Sequence, residues 1–471
     1  MSAPGAVLDP RTRTLLQAPI LPTLLRLAWP NVLVMLAQAS TGLIETYWVG
    51  KLGTDALAGM ALVFPGVMVM QMLSGGALGG GISSAIARAL GSGRRADADA
   101  LVLHALVINA AIGACFSAAL LLFGRPFYAA LGGEGGSLEA ALAYSNIVFC
   151  GMPLLFVMNG LASVVRGTGN MLVPALVTCI GVVLLLPLSP LLIFGWGPVP
   201  GFGVMGGGLA LLAFYAAGVA ILAWYLLSGR SVVRLRMARL RWALSRDILR
   251  IGAVAAISTV QTNVVIGGAT ALVGLQAGPA ALAGFGTAAR LEYLLVSLVF
   301  GIGAPLVATV GTNIGAGQRE RALKVAWCGS ALAFVATEAI GVAAAIWPRA
   351  WLGLFGQDPA MLEAGARNLQ LVGPCFGFFG LGLALYFASQ GAGRLLWPLL
   401  AGFLRMSVAL GGGWLAMRFT GRVEALYSAL ALGLVLYGAT VATAVWRGVW
   451  FRSPKPVVPA APALGPGPAR A

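Results

Sequence analysis

Glu45 interrupts a long apolar run and is the first side chain in the sequence whose type and setting imply chemistry. It lies six residues before Lys51, about 9 Å along a helix. An ionised carboxylate at such depth in a membrane is costly unless water or a partner reaches it, so it faces a cavity and serves function. Asn31, Gln38 and Thr41 precede it at intervals of 7, 3 and 4 residues, which places all four on one helical face. The neutral carboxyl is far cheaper to bury than the charged one, so an acid near the outer end of this stripe is suited to take up a proton. A hydrogen-bonded carboxyl that only packs near the interface is the plainer alternative, and the stripe weighs against it.

A second stripe runs through Thr259, Asn263 and Thr270 at intervals of 4 and 7, without an acid. It suits substrate contact in a cavity shared with the first stripe, or ordinary hydrogen bonds between helices. Arg290 and Glu292 interrupt another apolar run and, two residues apart, point to different faces. Glu292 is then either a second cavity acid that attracts cations or one half of an ion pair with another helix, Arg405 being the candidate. Glu338 has no motif around it and reads as structural or as a lipid-interface group. His104, the single histidine, reads as a packing residue. The cluster GGALGGG at 75–81 lacks the Lys-Ser/Thr ending and flanking strand of a phosphate loop, so it reads as close helix packing. Five cysteines without metal-ligand or disulfide spacing are expected to be small core residues. No metal site, cofactor or catalytic residue is implied.

The elements that must hold these groups are membrane helices. Hydrophobic residues make up 59% of the 471 and charged residues 9%, against about a quarter charged in soluble domains. Runs of roughly 20 apolar residues suffice to cross a bilayer, and here they do not alternate as barrel strands do. Twelve spans are predicted, at 24–50, 55–88, 98–123, 138–165, 170–195, 203–228, 248–275, 279–313, 322–347, 360–389, 395–417 and 423–447. The start does not resemble a cleaved signal peptide, so the first helix is expected to be retained.

Of the 30 Lys and Arg, 22 fall at the termini and in the loops on their side, 6 on the opposite side, and only Arg290 and Arg405 within spans. The positive-inside rule therefore predicts both termini in the cytoplasm. The net charge of +16 lies in short loops with no basic face for nucleic acid. The chain also repeats: LLRLAWP at 24–30 answers ILRIGAV at 248–254, and RGTGN at 166–170 answers QGAGR at 390–394, an offset of 224 in both cases. Six helices per unit make the halves parallel repeats about a central cavity. The expected organisation is an N-terminal cytoplasmic segment at 1–23, six-helix bundles at 24–228 and 248–450, a basic cytoplasmic connector at 229–247, and a disordered Pro/Ala tail at 451–471.

LAWPNVLVMLAQASTGLIETYWVGKLGTDALAG, the later GFGTAARLEYLLVSLVFGIGAPLVATVGTNIGAG, and PVPGFGVMGGGLA together resemble the multidrug and toxic compound extrusion (MATE) transporters across roughly 24–450. Many relatives carry Asn and Asp in the fifth helix where this chain has Leu185 and Ser189. A sodium-linked branch carries acids in the seventh and tenth helices, where Gln261 and Phe379 stand here. The resemblance implies an integral multi-pass protein of the inner cell membrane, an all-α fold and no enzymatic activity. The implied function is antiport of small xenobiotics, amphipathic and cationic, against H⁺ in preference to Na⁺. Glu45 then couples the ion, while Asn31, Gln38, Thr41, Thr259, Gln261, Asn263, Thr270 and Glu292 line the cavity. The implied partners are these substrates, the ion and membrane lipid, with no nucleic acid. A lipid-linked precursor flippase of related fold is the alternative; it calls for several arginines to hold a pyrophosphate. An intramembrane enzyme is disfavoured by the lack of any duplicated acid cluster, His-rich set or Ser/His pair.

Overall fold

Residues 9–198 and 200–451 are described by the computed structural model, apart from the side chains of Leu36, Ala39 and Ser40. The expected tail, beyond Phe451, and the first eight residues of the N-terminal segment lie outside the described residues. The described residues form helices and loops. A short helix α1 (Pro10–Gln17), capped by the Asp9 side chain, precedes α2 (Ile20–Gly50). Then follow α3 (Thr54–Gln71), α4 (Gly79–Gly91), α5 (Arg95–Ala130), α6 (Gly135–Cys150), α7 (Met152–Gly167), α8 (Leu172–Phe194) and α9 (Val204–Leu227). The second half holds α10 (Trp242–Gly315), α11 (Arg319–Ile346), α12 (Pro348–Leu352), α13 (Pro359–Val372), α14 (Phe376–Gly391), α15 (Leu396–Met406), α16 (Gly413–Thr420) and α17 (Glu424–Trp446).

Several of these helices are pieces of one span. α10 contains 74 residues, about 110 Å if straight, several times the thickness of a bilayer core. It folds back at Gly278, whose φ of 78° is open to glycine and poor for other residues, with Pro279 starting the second arm. α6 and α7 meet at 44° around Gly151, and Pro153 supplies no N–H there. α13 and α14 join through a 3₁₀ turn at Gly373–Cys375. α3 and α4 join through a π-helical stretch at Met72–Leu78, and α15 and α16 through another at Ser407–Gly412. Counted this way the described helices make twelve spans, as expected from the apolar runs.

Two hydrophobic clusters form the cores. One runs from Val49 to Ile248 through α3 to α9; the other is built from α10, α11, α13, α14 and α17. Leu24 and Ala28 at the start of α2 are buried in the second cluster, whereas Val49 at its end belongs to the first. α2 therefore bridges the bundles, with Pro30 in its middle. Cys115 and Cys150 are exposed on the helix bundle and the other three cysteines half-buried, so the expectation of core cysteines fails. A thiol is small and apolar enough to face the surface that lipid covers, and apolar runs do not distinguish that face from the core.

The bundles close on each other on the side of the termini. A methyl on Gly91 would fall 2.0 Å from the Thr312 carbonyl oxygen, and one on Gly315 would fall 2.2 Å from that of Arg88. These contacts are reciprocal under the repeat, since 88 answers 312 and 91 answers 315. Ala87 and Gly311, likewise equivalent, meet at the crossing, 2.9 Å from a methyl placed on the glycine. Ser84 donates to the Gln390 carbonyl at 2.6 Å, while Arg88 donates to that of Gly391 at 3.0 Å and pairs with Asp247 at 2.7 Å. The glycines thus let backbone touch backbone on a pseudo-two-fold axis, and polar contacts fasten the seam.

Candidate functional site: one pocket in each bundle

α2 turns the polar stripe into the N-terminal bundle, where Gln38, Thr41 and Glu45 line one pocket with Phe64, Gln71, Tyr144 and Tyr215. Its free space is about 390 Å³, counting the part open to solvent. Glu45 is 3% exposed. Its Oε2 accepts from the Tyr144 hydroxyl at 2.8 Å, and its Oε1 has no partner. Among the described residues, no Lys or Arg pairs with it. A carboxyl with one neutral donor and an open second oxygen can gain or lose a proton without breaking an ion pair.

A second pocket, with about 430 Å³ of free space counting the part open to solvent, lies in the C-terminal bundle between Phe285, Glu292, Asn368, Phe376, Arg405 and Leu430. The guanidinium of Arg405 pairs with Glu292, both side chains being largely buried at 7% and 15% exposure. It also lies over the Phe379 ring, 5.1 Å from the centroid. The pockets are repeats of one another. Thr41, Gly42, Glu45, Phe64, Met68 and Tyr144 line the first; Val265, Ile266, Ala269, Ala288, Glu292 and Asn368, each 224 positions on, line the second. The acid has changed helix between them: Ala269 replaces Glu45, and Glu292 replaces Met68.

The remaining stripe residues lie apart from these pockets. Asn31 is buried with its Nδ2 unpartnered. Thr259, Asn263 and Thr270 are half-buried and donate to carbonyls of their own helix, of Ala255, Thr259 and Ile266. Gln261 reaches across to the Leu399 carbonyl and packs on Gly402. Ser189 and Leu185 are buried. His104 is buried, contacts the Ala100 carbonyl through Nδ1 and accepts the Arg241 N–H on Nε2 at 2.8 Å, anchoring the connector. Glu338 accepts the Gly377 N–H at 2.7 Å at the start of α14. The equivalent of Gly377 in the first half is Pro153, which has no N–H to serve. Sequence reasoning missed Tyr144, Tyr215, Gln71 and Asn368. The repeat alignment paired Tyr144 with Asn368, a polar signal available once one of the pockets was known.

Residues 30–191 and 256–415 match the MatE family model. The chain is 28% identical over 380 residues to the FAD transporter of Shewanella oneidensis, covering 80% of this chain and 82% of that one. It is 29% identical over 480 residues to the probable multidrug resistance protein NorM of Deinococcus radiodurans, covering 93% and 94%. A solved structure, the outward-facing conformation of a multidrug resistance MATE family transporter of the MOP superfamily, superposes with a TM-score of 0.84 at 20% identity, covering 94% and 99%. The two blocks of the family model each contain the acid of one pocket, Glu45 and Glu292, and the chain belongs to the MATE family of multi-pass membrane transporters.

Proposed function

We propose that the chain is a proton-coupled multidrug antiporter that exports amphipathic cations, with Glu45 as the coupling group. The observation that carries this reading is a buried carboxyl in an otherwise uncharged pocket, with one hydrogen bond and no counter-ion among the described residues. Protonated, it is a neutral group in an apolar wall; ionised, it attracts a cation. A proton entering from outside and a cationic substrate entering from inside thus favour opposite states, and only such a difference can drive the bundles from one arrangement to the other. Sodium is the weaker candidate, because the C-terminal pocket answers its acid with Arg405 and sodium, as a hard cation, prefers free oxygen ligands. We place both termini in the cytoplasm of the inner membrane, so the seam through Gly91 and Gly315 is the inner closure.

A relative that carries FAD raises a pyrophosphate cargo. Such a cargo calls for free arginines, whereas Arg405 is held by Glu292 and Arg290 lies over the Phe355 ring. The cation reading therefore stands ahead of it and of the flippase. The test is ethidium efflux from vesicles under separately imposed pH and sodium gradients. Wild type follows the pH gradient; Glu45→Gln falls to the level of empty vesicles; Glu45→Asp keeps part of the activity. Full gradient-driven efflux by Glu45→Gln, or loss of efflux on sodium removal at constant pH gradient, overturns the reading. Reporter tags at Ser245 and the C-terminus read cytoplasmic and one at Gly135 external if the orientation is right.

A further inference from the structure

The connector between the bundles carries charge that neither pocket uses. Between Arg230 and Arg250 stand seven arginines and one acid, Asp247. We propose that this stretch is a docking surface for the anionic phospholipid headgroups of the inner leaflet. The proposal goes beyond transport and rests on the cytoplasmic placement of the connector. Its backbone is pinned while its guanidiniums are left free. Val232 and Val233 are buried, and Arg95 donates to the Val232 carbonyl at 3.0 Å. The Asp99 carboxylate accepts the Arg234 N–H at 2.8 Å, and His104 accepts that of Arg241. The connector is thereby held against the start of α5. The acids beside it are engaged: Asp97 pairs with Arg94 and Arg241, and Asp247 with Arg88. Arg236, Arg239, Arg246 and Arg250 are exposed and, among the described residues, pair with no carboxylate.

Charge alone is what a solvated loop on the inner side carries; what stands between the arginines decides against that plainer reading. In the run RLRMARLRW at 234–242, Met237 is 93% exposed, Trp242 72% and Leu240 57%. Trp242, Arg246 and Arg250 follow at intervals of four on the first turns of α10, so they share one face. The N-terminal end of a helix carries partial positive charge, and cations gathered there are opposed by it until an anion neutralises them. The headgroup layer meets both demands. Its phosphates take the guanidiniums in charge-assisted, bidentate pairs. Its boundary with the acyl chains takes Met237, Leu240 and Trp242, tryptophan being a residue that collects at that level. A free phosphate, or a polyanion without apolar surface, satisfies the arginines and leaves the three apolar side chains in water.

Amide hydrogen exchange of the full chain in lipid nanodiscs tests the surface. Residues 235–240 lie outside the helices, so their amides exchange readily unless something covers them. One set of discs holds phosphatidylcholine alone, the other equal parts of phosphatidylcholine and phosphatidylglycerol. An arginine near an anionic surface gains about fivefold in affinity for it, so exchange over 235–240 is expected to be at least about tenfold slower with phosphatidylglycerol. High salt removes that protection, as screening requires. Arg236→Gln/Arg239→Gln/Arg246→Gln/Arg250→Gln loses it, Met237→Ser/Leu240→Ser/Trp242→Ser keeps only part of it, and Arg349→Gln/Arg418→Gln at the opposite end keeps all of it. Equal exchange in the two discs overturns the proposal, as does full protection in the four-arginine or the apolar variant. Inorganic phosphate or soluble polyglutamate protecting the phosphatidylcholine discs as strongly would make the surface a site for soluble anions, and also overturns it. The lipid and salt comparisons use the wild type, so a variant that fails to fold does not remove the test. Nanodiscs offer the same headgroups at both faces, so a reversed orientation leaves this measurement unchanged, and equal exchange leaves the reporter tags at Ser245 and Gly135 to decide the orientation.

Discussion

In the N-terminal bundle the buried acid sits on the first helix of the repeat, with a tyrosine hydroxyl as its partner. In the C-terminal bundle the acid has moved to the position of Met68, and an arginine from α15 answers it. The two pockets occupy equivalent places and each has an apolar wall, so the fold is not what separates them. The difference is electrostatic: one pocket can change its net charge by a proton, while the other carries a fixed pair. Duplication supplied two cavities at equivalent places, and one carboxyl and one guanidinium give them different charge.

The comparison is most exposed at Arg405. Arg405→Met leaves Glu292 buried without its counter-charge, a loss of about 3–5 kcal/mol for a broken buried pair. Its thermal unfolding in detergent is expected well below that of the wild type. Arg405→Met/Glu292→Leu recovers most of the loss, since replacing both partners with apolar groups is near neutral. Glu45→Gln, by contrast, removes an acid that no cation holds and is expected to unfold within about 1 kcal/mol of the wild type, a buried orphan oxygen being exchanged for a neutral amide. A Glu45→Gln loss as large as that of Arg405→Met would erase the distinction between the pockets.

Where the halves are alike, paired substitutions behave alike. Gly91→Ala and Gly315→Ala each drive a methyl into a carbonyl of the opposite bundle, and neither backbone can yield as a side chain does. Each is expected to destabilise by about 1–3 kcal/mol, the range for overpacking, with matching shifts in unfolding temperature. A large loss at one glycine and none at the other would show that the crossing is not the axis of the repeat.

Much of this was legible in the chain because both signals are periodic. Apolar runs gave the spans, and the recurrence at 224 gave the halves. Spacing also put Gln38, Thr41 and Glu45 on one face, since a single helix fixes that geometry. What spacing could not give was the partner. Tyr144 lies 99 residues from Glu45 and Arg405 lies 113 from Glu292, and only packing brings such residues together. For the same reason spacing left the second stripe open between substrate contact and helix hydrogen bonds. Thr259, Asn263 and Thr270 satisfy themselves on their own helix, as short polar side chains readily do, and a helical face alone does not reveal that.

The smallest effect concerns the one bond that Glu45 does make. Tyr144→Phe removes a single hydroxyl–carboxyl hydrogen bond and little volume, so the loss is about 1 kcal/mol. A natural control lies in the other bundle. The Tyr427 hydroxyl is buried without a partner, its ring stacked on Phe285 at 6.0 Å. Tyr427→Phe therefore sheds an unsatisfied polar atom and keeps the ring contact, and it is expected to leave stability unchanged or raise it. In transport the two variants separate again. Tyr144→Phe is expected to retain gradient-driven efflux at a reduced rate if Glu45 is the coupling group, because the acid is still present and only its orientation is looser. Complete loss of efflux in Tyr144→Phe, with the protein folded, would move the essential proton from Glu45 to the tyrosine hydroxyl and make the acid its support.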